Sequence, residues 1–243
     1  MSAPMEALIA IRNYAGSRQT IGIDDASIQK FLSTDPTLGE AIMDAHRVHL
    51  GLQAEFPDLL SADEHSAAAS LQSDFVNFYP ENTINPYIAL AGAGPWIVTA
   101  HGGIVHDNGG YGMLGLGHSP SVIMDAMGDT HVMANVMTPS FTHKRFAALL
   151  KAEVGQKRGH CPFEKFICMN SGSESVTVAF RIADVNAKNQ TVDGARRASK
   201  TIKMLSLEGS FHGRTDRPAQ ASDSCLGKYK QYLATHAKLD NLI

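Results

Sequence analysis

The apolar run FEKFICM (163–169) stops abruptly at NSGSES (170–175), and a helical period begins only after it. Val176, Ala179, Phe180 and Ala183 recur at three- and four-residue spacing, which predicts a helix over about 174–188. The polar connection NQTVDGARRASK (189–200) then leads to a second β-prone run, TIKMLSLEG (201–209). Strand, turn, helix, loop, strand is a βαβ unit, with strands expected at 165–170 and 201–208. Such a unit commits a chain to a parallel sheet covered by helices.

The turn at 170–175 raises a chemical question. A helix begins with amides that lack internal partners, and its dipole places partial positive charge there. A glycine without a Cβ and two serine hydroxyls at that point, Ser171, Gly172 and Ser173, form a phosphate-type anion site. They also fit an ordinary helix start in which Ser173 is the cap and Gly172 a turn. The next strand ends in LEGSFHGRT (207–215), which sets Phe211, His212 and Arg214 at the same end of the sheet. Phe211 could stack on a flat heteroaromatic ring, and Arg214 offers a planar fork to a carboxylate. The two stretches together fit a ligand with a ring and a phosphate, plus a carboxylate-bearing partner.

Upstream, the pattern from residue 24 to about 80 is helical. Leu38, Ile42, Ala45, His49 and Leu52 make one amphipathic stripe, and SADE (61–64) reads as a capping box for a helix running toward Phe75 and Phe78. After residue 90 the glycine-rich stretch AGAGPWIVTAHGGIVHDNGGYGMLGLGHSP (91–120) predicts short strands around WIVTA and GIVHD, then a helix from Ser119 and Pro120. A further helix is expected from Thr142, with Phe146, Leu149, Leu150 and Val154 facing inward.

Composition removes several alternatives. A net charge of −3 and the lack of a basic cluster give no footprint for nucleic acid. No stretch has the apolar length of a membrane span, and the N-terminus lacks signal-peptide character. Three cysteines at 161, 168 and 225 fit neither a disulfide framework nor a zinc pattern, which implies a reducing, cytoplasmic setting. The eleven histidines form no metal-binding motif. A nucleotide-binding α/β enzyme is disfavoured, since neither G-x-G-x-x-G after a first strand nor G-x-x-x-x-G-K-[ST] occurs.

GGYGMLGLGHSP, then NSGSES, then GSFHGRT, in this order and spacing, resemble the class III aminotransferases. These are fold-type I pyridoxal phosphate (PLP) enzymes typified by ornithine and 4-aminobutyrate aminotransferases. The resemblance covers about 95–216; the first 90 residues do not align. It implies an α/β fold with three segments. These are a helical N-terminal region (1–90), the first part of a small domain (91–140), and part of a large PLP-binding domain with a parallel or mixed sheet (141–243).

By the same resemblance, Ser171, Gly172 and Ser173 match the cofactor-phosphate loop, Phe211 the aromatic that stacks on the pyridine ring, and His212 the rest of that motif. Arg214 and Tyr111 match substrate-side positions. The implied reaction is amino transfer from an amine or amino acid to a 2-oxo acid, in a homodimer. The Lys that forms the Schiff base and the Asp that pairs with the ring nitrogen are expected beyond Ile243, so the chain reads as an N-terminal half that is inactive alone. The alternatives are a non-catalytic or degenerate PLP-fold protein, or another fold-type I enzyme such as an aminomutase, racemase or decarboxylase.

Overall fold

Several helix starts in this chain are set by short polar side chains that cover otherwise orphaned amides. In the computed structural model Asp24, Asp35, Asp63, Ser140 and Ser171 each accept a hydrogen bond from an amide two or three residues on. The structure describes residues 2–76, 87–108, 115–130, 132 and 137–232. It divides into two compact units, Met1–Met133 and Ala134–Ile243.

The first unit is built on helices α1 (Ala3–Tyr14), α2 (Asp25–Leu32), α3 (Pro36–Glu55), α4 (Pro57–Ser61) and α5 (Glu64–Gln72). Strands β1 (Ala89–Ala93), β2 (Trp96–Thr99) and β3 (Ile104–His106) follow, then α6 (Ser121–Gly128). The strands form one antiparallel sheet in the order β1-β2-β3, with Ala93 opposite Trp96 and Val98 opposite Ile104. Both expected short strands are present.

Helix α3 packs on β1, β2 and α1 because its stripe is apolar at helical spacing. Leu38, Ile42, Ala45 and His49 are fully buried, joined by Leu8 and Ile11 from α1 and by Trp96 and Val98 from β2. The helical segment before residue 90 and the strands after it therefore share one core. Trp96 also donates from Nε1 to Asp35 Oδ2 at 2.8 Å, which ties β2 to the cap of α3.

The SADE stretch folds differently from the expected capping box. Ser61 ends α4, and Asp63 is the cap of α5, accepting from Ser66 N at 3.0 Å. Glu64 turns inward, fully buried, and its Oε2 accepts from the amides of Gln19 and Thr20 at 2.7 and 2.6 Å. The carboxylate satisfies two backbone donors of a distant loop, a tertiary demand that local spacing does not reveal. Phe75 lies past the end of α5 and is exposed, and Phe78 lies outside the described residues.

The second unit contains α7 (Phe141–Gly155), α8 (Gly172–Thr191), α9 (Asp216–Ala221) and α10 (Asp223–Tyr232). The predicted helix at 174–188 is present as α8, two residues longer at the front. The predicted strands are not: no β-ladder forms over 165–170 or 201–208 among the described residues. Ile167 is 63% exposed and Leu205 79%. Parallel strands are stable when helices bury both faces, and these two segments carry no such cover. For the same reason the inward face expected of α7 is open, with Phe146, Leu149 and Val154 exposed, and Val122 and Met127 of α6 are exposed as well.

Candidate functional site

Ser171 is the N-cap of α8: its backbone is extended and its Oγ accepts from Glu174 N at 3.2 Å. Glu174 Oε2 reaches back to accept from Asn170 N at 3.0 Å, which completes a capping box one residue out of register with the usual form. The cap is therefore Ser171 and not Ser173, and the spacing S-x-x-E in the sequence was the signal for it. Gly172 and Ser173 occupy the first two helical positions, and their N–H groups have no hydrogen-bond partner among the described residues. A Cβ built at Gly172 would meet nothing within 4 Å. The start of a 20-residue helix thus presents two uncovered amides beside open space.

The second motif comes to the same place. Ser173 Oγ accepts from Arg214 N at 3.2 Å, and Thr177 Oγ1 lies 3.4 Å from Thr215 Oγ1. Gly213 has φ +115, and a Cβ there would fall 2.4 Å from Ser173 Oγ, so only glycine allows this approach. The Arg214 guanidinium carbon sits 5.8 Å from the centroid of the Phe211 ring, within cation–π range. Phe211 is 60% exposed, so its ring keeps open surface. Tyr111 lies outside the described residues.

The loop 209–215 is held from below by a residue that sequence reading missed. Ser222 is fully buried. Its Oγ accepts from His212 N at 2.7 Å and lies 2.9 Å from Gly213 O and 2.8 Å from Pro218 O. Asp223 adds a bond from Gly209 N to its Oδ2 at 2.9 Å. A serine after a short helix carries no distinctive spacing, so nothing in the sequence marks it. Arg217 and Asp184 form an ion pair between α9 and α8, and this pair holds the Asp184 carboxyl below its ordinary value. Arg217 also lies over the Phe180 ring, 5.5 Å from its centroid.

The donor set suits a phosphate. Two backbone amides point outward, and each of the Ser171 and Ser173 hydroxyls, already accepting one bond, retains a proton to donate. The helix dipole adds to this, and an arginine and an aromatic ring stand on the adjoining loop. Among the described residues no group of three His, Cys, Asp or Glu side chains could hold a metal ion, and no helix is long and apolar enough to cross a membrane.

No curated protein and no solved structure matches the chain. A model of one family, described as aminotransferase class III, matches residues 79–236, a span that contains the α8 N-terminus, the Phe211–Arg214 loop and the glycine-rich stretch before α6. With a match over well more than half of its length, this chain belongs to the class III aminotransferase family.

Proposed function

We propose that the chain carries the cofactor-phosphate and ring-facing part of a PLP-dependent aminotransferase of fold type I, one that moves an amino group from an amine or amino acid to a 2-oxo acid. The observation that carries this reading is the pair of uncovered amides at Gly172 and Ser173, on open space and bonded through Ser173 to the Arg214 loop. Enzymes of this family are generally PLP-dependent. When bound, PLP supplies an aldehyde that takes up the amine and an electron-poor ring that stabilises charge at the substrate carbon.

The residues divide the work between them. Gly172 and Ser173 amides, with the Ser171 and Ser173 hydroxyls, hold the phosphate by charge-assisted hydrogen bonds. Phe211 offers a flat apolar surface to the ring, and His212 fixes the loop through its amide. Arg214 recognises a substrate carboxylate, with Tyr111 on the substrate side. In this reading residues 91–140 belong to a small domain and 141–243 to a large one with a parallel or mixed sheet. Two copies of the complete enzyme pair.

A second reading is a protein that binds cofactor without turnover. Lys228, Lys230 and Lys238 stand in CLGKYKQYLATHAKLDNLI, which has no strand-end lysine pattern.

The test is to incubate the chain with PLP, reduce with borohydride and map pyridoxyl-lysine by mass spectrometry. The expected result is saturable PLP binding with only scattered, substoichiometric labelling. Stoichiometric labelling of one lysine with turnover of an amino donor would show that the chain is a complete catalyst. Absence of saturable binding would remove the cofactor reading altogether.

A further inference from the structure

The first unit holds a cavity of about 160 Å³ that takes no part in the α8 site. Leu60 and Ala67, both buried, and Leu90 form part of its wall, while Phe56 and Leu71, each nearly half exposed, give it access to solvent. Among the described residues, His101 is the one polar side chain that lines it.

His101 is 1% exposed, and its Nε2 lies 2.9 Å from Ala62 O. A carbonyl can only accept, so Nε2 carries the proton, and in the neutral ring Nδ1 is an acceptor. Nδ1 is buried and has no hydrogen-bond partner among the described residues. A buried acceptor without a donor costs about 1–3 kcal/mol, a cost that a suitable donor removes. An apolar cavity of about 150 Å³ accommodates a benzene ring.

From the volume, the apolar wall and the orphaned acceptor together, we propose that this cavity is a binding site for a small uncharged aromatic molecule bearing one hydroxyl donor, a phenol, whose O–H bonds to His101 Nδ1. The ring fills the space between α3, α4, α5 and β1, and the hydroxyl completes the histidine. The site is independent of the cofactor reading.

Phenol and toluene are the probes, matched in shape and differing in the donor, and binding to the full chain is measured by titration calorimetry. In the wild type both bind. In His101→Leu the ratio of toluene to phenol dissociation constants falls by about tenfold, the loss of one hydrogen bond to a buried acceptor. Leu71→Trp, at the solvent side, blocks both probes. Should His101→Leu not fold, the ¹⁵N shift of Nδ1 in the wild type decides, and it moves on addition of phenol and not of toluene. The proposal is overturned if neither probe binds the wild type, if the ratio is the same in His101→Leu, or if Nδ1 does not respond to phenol.

Discussion

A Cβ added at Gly172 meets nothing within 4 Å, whereas one added at Gly213 would lie 2.4 Å from Ser173 Oγ. The two glycines of the junction are therefore separable by experiment. Gly172→Val should leave stability within about 1 kcal/mol of the parent, because the first turn of a helix tolerates a side chain there. It should abolish PLP or inorganic phosphate binding, because the branched side chain fills the space the anion needs. Gly213→Val should lower stability by about 1–3 kcal/mol through steric clash and an unfavourable positive φ. Thermal melts and fluorescence titration of PLP read both variants. Equal PLP affinity in Gly172→Val and the parent would remove residues 171–173 from the cofactor site.

At the scale of elements, the loop 209–215 is held by Ser222, a residue outside its motif. In Ser222→Ala the His212 amide loses its acceptor in a part-buried setting, so unfolding in urea should be easier by about 1–2 kcal/mol. Hydrogen exchange at His212 should rise while exchange within α3 stays as it was. Unchanged exchange at His212 would show that the loop is held by other contacts. The same scale explains why the helix of the βαβ pattern forms and its strands do not. Beyond its first turn helix α8 satisfies its backbone internally, and it is capped by Ser171, whereas a strand needs a neighbour to satisfy its own. Spacing within 163–209 located α8 to within three residues at either end, and it could not carry the sheet.

Across the whole molecule, the two units should answer acid differently. His49 in the first unit is fully buried, and burial, followed by the nearby His46 and His101, holds its pKa below the ordinary value. The unfolded chain, with an ordinary value of about 6.5, binds the proton more readily than the folded one. The stability that depends on neutral His49 is complete above about pH 6.5 and is lost as pH falls through the folded value. Asp24, Asp35 and Asp63, all held below the usual carboxylate value by cap hydrogen bonds, lose their contribution only in more acid solution. Urea midpoints of the first unit's transition between pH 7 and 5 should therefore fall, and His49→Leu should flatten that slope. A slope unchanged in His49→Leu would place the acid sensitivity elsewhere.

Three short motifs in order were enough for the sequence to place this chain among the class III aminotransferases, because a phosphate loop needs small residues at a helix start whatever surrounds them. The stripe on α3 was equally readable, since periodicity alone decides which face of a helix is apolar. Tertiary structure alone decided that Glu64 turns inward to bind the Gln19 and Thr20 amides, that Ser222 sits beneath Gly213, and that no β-ladder forms over 165–170 and 201–208 among the described residues. Each of these depends on which distant backbone group lies within hydrogen-bond reach, and local spacing holds no information about that distance.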